Sequence, residues 1–210
     1  MNATALTAAP LLRFEILRFR SLRGATIGVA VNSVAFTAIV YVGTLYLQSA
    51  LGYGPIEAGL ALLPIDAVAF AIPLLAARHL ADRSPRALLA GSFALTTAAL
   101  LWLARAPVPA SYAIDILAPL AVLGASLSIA FVVLTHEAVA EVEPDDKGLA
   151  SGIFETANHL IGGAVGVAIY ATVLTAVAGG GYRAAFLVAT ALAALGVAAA
   201  TQARPKYARG

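Results

Sequence analysis

Apolar residues along this chain do not recur at one-face spacing. They run in blocks of about twenty, separated by short segments that hold most of the charge. No charged residue occurs between Gly24 and Ile56, and within that gap Ala25–Leu47 is long enough to cross a bilayer at about 1.5 Å per residue. Further blocks occupy Ala58–Ala77, Ala87–Ala104, Tyr112–Leu134, Leu149–Val177 and Ala184–Thr201. Backbone groups facing lipid must be satisfied within a helix or a closed barrel, and blocks of about twenty residues exceed the roughly ten-residue strands of a barrel. The pattern predicts an all-α membrane protein with six transmembrane helices. It divides the chain into an N-terminal segment 1–23, a bundle 24–201 and a tail 202–210.

The charges then orient the spans. Arg13, Arg18, Arg20, Arg23, Arg78, Arg83, Arg86, Lys147, Arg204, Lys206 and Arg209 fall on one side, and only Arg105 and Arg183 on the other. The positive-inside rule reads this as both ends cytoplasmic in a multi-pass protein of the inner (plasma) membrane, and an even number of spans agrees. Ahead of the first span no basic region followed by an apolar core marks a cleavable signal. Leu11–Leu22 sets Leu, Phe and Ile among arginines, which suits a short helix at the membrane surface.

Composition changes the picture only by exclusion. The 210 residues are 61% hydrophobic and 11% charged, too few polar groups for a soluble domain, where about 25% are charged. With no cysteine, disulfides, thiolate metal sites and thiol catalysis are excluded for the chain by itself. The net charge of +2 comes from short loops and gives no reason to expect nucleic acid as a partner. The run from Thr135 to Asp146 holds one histidine and several carboxylates without a metal-ligand spacing, and Pro144–Asp145 reads as a turn before the next helix. No nucleophile and base or phosphate-binding loop stands in a suitable context, so neither an enzyme, a metal nor an organic cofactor is expected.

Three stretches carry a family resemblance. The loop after the second span reads Arg78-His79-Leu80-Ala81-Asp82-Arg83-Ser84-Pro85-Arg86. The others are Leu45 to Gln48 followed by Leu51-Gly52-Tyr53-Gly54-Pro55 and Ala58 to Pro64, and Gly148 to Gly152 followed by Gly162 to Ala168. Together they resemble the major facilitator superfamily, and within it the C-terminal six-span half of a fourteen-span drug:proton antiporter of the multidrug efflux type. Leu80, Ala81, Asp82, Arg83 and Arg86 match the superfamily's loop pattern, whereas Arg78, Pro85 and Ala87 depart from it, as in the degenerate copies of C-terminal halves. The resemblance implies a three-plus-three inverted repeat, and Asp82, Arg83 and Arg86 as a cytoplasmic gate loop. It also implies a proton gradient as energy source and export of small amphipathic compounds. It leaves the N-terminal half and its proton-coupling motifs outside this sequence.

Within the spans, ionisable groups are the informative residues, because a charge at mid-membrane costs at least about 2.5–3.5 kcal/mol and should face protein or water. Asp66 lies about 12 Å into the second span. Glu155 and His159 stand four apart on one face of the fifth, beside Asn158, and can exchange a proton or pair. These three are the candidates for proton or ion coupling; a structural carboxyl at Asp66 and a wetted helix end at Glu155 are the plainer alternatives. Asp115 reads as interfacial, and Asn32 and Gln48 as glue between helices. Gly162, Gly163 and Gly166 form a small-residue face for close helix packing, while Pro64 and Pro73 remove backbone bonds in the second span. In the resembling fold the second and fifth spans border the missing half. Asp66, Glu155 and His159 would then point toward a partner, either an N-terminal half or a second copy. The competing reading is a truncated, non-transporting remnant or helix-packing scaffold.

Overall fold

The computed structural model describes residues 16, 18–107, 110–177 and 181–202, with backbone alone for 76–81, 201 and 202. Those residues form six helices long and apolar enough to cross a membrane: α1 Arg20–Ala50, α2 Pro55–Leu75, α3 Pro85–Leu103, α4 Tyr112–Val139, α5 Pro144–Ala176 and α6 Tyr182–Ala200. The chain is a multi-pass, all-helical membrane protein; among the described residues there is no strand. The helix of α2 runs on to Ala81 through both internal prolines. Gly52, at φ 75°, makes the turn from α1 to α2 in the left-handed region that disfavours a side chain.

The surface helix expected over Leu11–Leu22 lies mostly outside the described residues; from Arg20 onward the chain is continuous with the helix of the first span. Leu22 is fully buried and packs with Ala25, Val29 and, from α4 and α5, Leu134 and Phe154. A carboxylate oxygen of Glu141, in the connection between α4 and α5, accepts from the Ser21 amide at 3.4 Å. The apolar contacts carry the helix back past Arg20 and Arg23, which are exposed.

Helix pairing gives the bundle its plan. The helix α1 packs against α4, α5 and α6; α4 packs against α1, α2 and α3; and α3 and α6 pack against each other. Exchanging α1 with α4, α2 with α5 and α3 with α6 leaves this set of pairs unchanged. Burial of the apolar 18-residue stretch of each helix follows the same exchange: 50% in α1 and 44% in α4, 28% in α3 and in α6, and 17% in α2 and in α5. Because successive helices joined by short connections run in opposite directions, α4–α6 repeat α1–α3 upside down. This is the three-plus-three inverted repeat, with α1 and α4 at the centre and α2 and α5 least covered.

Close approach needs glycine at each kind of contact. A side chain on Gly28 of α1 would meet Leu134 at 2.5 Å, and one on Gly196 of α6 would meet Phe93 of α3 at 2.9 Å. Gly124 of α4 lies directly against the carbonyl of Ile65 in α2, and Gly162 of α5 directly against Ser33 in α1. Such small-residue contacts hold helices together in lipid, where burial of apolar surface supplies no drive.

Candidate functional site

Three side-chain hydrogen bonds join α1 to α5. Ser33 and Thr37 stand four apart on α1 and face Gly162 and Gly166, four apart on α5. The Ser33 hydroxyl donates to Asn158 Oδ1. The Thr37 hydroxyl donates to the Gly162 carbonyl at 2.7 Å, and the buried Tyr170 hydroxyl donates to the Val34 carbonyl at 3.0 Å. Only the Tyr170 bond is fully buried, and in membrane proteins such bonds average only about 0.6 kcal/mol because other partners exist before assembly. Their value here is register, since three of them fix α5 against α1.

Beside this contact the two helices part and leave an open cleft of about 540 Å³. Phe36, Val40, Tyr41 and Thr44 line it from α1, and His159, Gly163 and Val167 from α5. Both walls are wound with the wider π-type turn, over Ala38–Gly43 in α1 and Ala157–Val165 in α5. Wider turns shift side chains off the regular helical face, and they recur where helices carry function.

The residues singled out in the sequence divide into groups. Glu155 and His159 come together, with His159 Nε2 3.4 Å from Glu155 Oε2, and Asn158 Nδ2 donates to the same carboxylate at 3.1 Å. This places the pair at one end of the cleft, tied to α1 through Asn158 and Ser33. Both remain accessible, the His159 side chain 82% and Glu155 48% exposed. Asp66 is elsewhere, on the outer face of α2, about 16 Å past Pro55 at helical rise. It is exposed and makes no hydrogen bond or ion pair with any other described residue.

At the turn between α2 and α3, Asp82, Arg83 and Arg86 are exposed. The cap of α3 is Ser84, whose hydroxyl accepts from the Ala87 amide at 3.2 Å, with Pro85 opening the helix; Asp82 stands two residues ahead of it. The side chains of Arg78, His79, Leu80 and Ala81 lie outside the described residues. Asp115 accepts from the Ser111 amide at 2.8 Å in the first turn of α4, and Asn32 donates to the Leu127 carbonyl at 3.4 Å.

The expected packing face narrows to Gly162 and Gly166. Gly163 has nothing within 4 Å of where a side chain would begin and lines the cleft instead. The turn is wider here, so three neighbouring small residues do not share one contact. Sequence reading missed Ser33, Thr37, Tyr170 and Gly124. A signal existed for the first two, because a pair of small hydroxyl residues four apart on α1 matches the pair of glycines four apart on α5.

No protein-family model matches the chain. It is 33% identical over 135 residues to a puromycin resistance protein of Streptomyces alboniger, a match that takes in 63% of this chain. The same match covers 27% of that protein, so the chain spans just over a quarter of the relative's length. Six membrane-spanning helices and a relative named for drug resistance accord with a transporter.

Proposed function

We propose that the chain is the C-terminal six-span half of a major facilitator transporter and contributes to proton-coupled efflux of small amphipathic compounds. It works by alternating access between two bundles. The observation that carries this reading is the inverted three-plus-three repeat, the plan on which rocking transporters are built, in a chain similar to a puromycin resistance protein. The antiporter branch and the proton gradient rest on the resemblance of the loop and span motifs. The eleven-to-two division of Lys and Arg supports a plasma-membrane protein with both ends cytoplasmic.

Asp66 gives the physical reason to expect a partner. A carboxylate near the middle of an exposed helix face, with no hydrogen bond or ion pair to another described residue, is costly against lipid and tolerable against water or a second bundle. Its helix and α5 are the two least covered, so both are available to a complementary half or a second copy. In the assembled transporter Asp66, Glu155 and His159 take up and release protons. Asp82, Arg83 and Arg86 control opening at the cytoplasmic face.

The test is accumulation of puromycin and of a fluorescent drug in an efflux-deficient host. The host expresses the chain alone, the chain with a separately encoded N-terminal half, and the same pair carrying Asp66→Asn. Lower accumulation in the first or second strain, restored by Asp66→Asn, is the expected result. No change in any strain at normal membrane levels would mean the chain is a non-transporting scaffold.

A further inference from the structure

We propose that Ser33 and Asn158 are positioning residues that link the protonation of the Glu155–His159 pair to the seating of α5 on α1. The inference deepens the proton-carrying role proposed for that pair and rests on that reading for its purpose in export. The linkage itself follows from groups that stand in a row across two helices.

An ionised carboxylate can only accept, and Asn158 Nδ2 donates to Glu155 Oε2 at 3.1 Å. With its nitrogen turned to Glu155, the planar amide points its carbonyl oxygen the other way, and there the Ser33 hydroxyl of α1 donates to it. His159 Nε2 stands 3.4 Å from the same Glu155 oxygen. One oxygen thus meets both the amide and the imidazole. An exposed pair four apart on a helix holds weakly by itself, because two long side chains must be ordered to make it. Asn158 holds the carboxylate in place, and its own orientation is set from the neighbouring helix.

Ser33 is a short side chain and reaches Asn158 because α5 lies close. Gly162, four residues beyond Asn158, sits directly against Ser33. Withdrawal of α5 breaks the Ser33 bond, leaves the Asn158 amide to turn, and loosens Glu155 from His159. Linkage is reciprocal, so a change of protonation at the pair alters the seating of α5 in turn.

Other charges do not set the pair. The ionisable groups on the helices packed against α5 are Arg20 and Arg23 of α1, Asp115, His136 and Glu137 of α4, and Arg183 of α6. None of them forms an ion pair with Glu155 or His159. Phe154 packs on Phe131 of α4, which puts His136 and Glu137 more than a helical turn away along that helix.

The full chain, carrying isotope-labelled histidine and reconstituted in lipid nanodiscs, gives ring resonances from His79, His136 and His159, and His159→Gln identifies the last. Glu155→Gln should move the pH midpoint of the His159 resonance. Ser33→Ala and Asn158→Leu should move it the same way and by most of that distance. Thr37→Val is the control, because it keeps the shape and removes a different hydrogen bond from the same helix contact, the one to the Gly162 carbonyl. It should leave the midpoint in place.

A midpoint that Ser33→Ala leaves unmoved, a movement in Thr37→Val equal to that in Ser33→Ala, or no response to Glu155→Gln would each overturn the proposal. The two readings fail separately. A midpoint that follows Ser33 in a chain that exports nothing keeps the linkage and removes its use in transport, whereas export with a midpoint indifferent to Ser33 does the reverse.

Discussion

The contacts α1–α5 and α4–α2 occupy equivalent places in the inverted repeat and solve the same problem differently. In both, a peripheral helix closes on a central one through glycine, and a tyrosine hydroxyl crosses to a backbone carbonyl at 3.0 Å, Tyr170 to Val34 on one side and Tyr112 to Ala61 on the other. On the α4–α2 side the glycine meets backbone: Gly124 lies on the Ile65 carbonyl, and a side chain there would also meet Val68 at 3.2 Å. On the α1–α5 side Ser33 and Thr37 stand between the helices, and a cleft opens beside them. Backbone-on-glycine makes a fixed seam, whereas hydroxyls between helices make a seam with unused acceptors. The repeat thus provides one structural contact and one contact with chemistry to offer.

The comparison can be broken most severely at the glycines. Valine at Gly124 should destabilise most, because a carbonyl within a helix cannot swing aside, followed by valine at Gly162 against Ser33; overpacking of this kind costs about 1–3 kcal/mol or more. Thermal unfolding in detergent micelles would show both, and a tolerant Gly124 would deny the fixed seam. Next come the tyrosines. Tyr170→Phe should lower stability by about 0.6–1.7 kcal/mol by removing the bond to the Val34 carbonyl across the helix contact, and Tyr112→Phe by less, because Tyr112 is only half-buried. Chemical unfolding of the two variants under the same conditions compares the seams directly, and a reversed order would count against the α1–α5 bond as the more buried.

Gly163→Ala should have the smallest effect, neutral or stabilising by up to about 1 kcal/mol, since it adds helix propensity and meets nothing. A loss there comparable to that of Gly162→Ala, read by the same melts, would restore the undivided glycine face.

The six spans were legible because a hydrocarbon core about 30 Å thick demands uninterrupted apolar runs, and the runs from Ala25 and Ala87 mark their helices to within a few residues. The start of α1 was less so, since Arg20 and Arg23 look like a loop until Leu22 is seen buried between other helices. Glu155 and His159 were legible as a pair because they share one helix. Ser33 and Thr37 were not, because their meaning depends on which helix faces them, and pairing across more than a hundred residues leaves little trace in one sequence. Gly163 stands apart from Gly162 and Gly166 for a local reason: small-residue spacing assumes 3.6 residues per turn, and Ala157–Val165 is wound more widely.

Export by this chain as one half of a transporter is the central claim, and puromycin accumulation in an efflux-deficient host tests it most directly. The comparison is between the unaltered chain, expressed with whichever partner supports export, and Asp66→Asn present in the membrane at the same level. The account predicts that the unaltered chain lowers accumulation and that Asp66→Asn returns it to that of cells without the chain. Equal accumulation in cells with and without the unaltered chain, or export undiminished by Asp66→Asn, would contradict it.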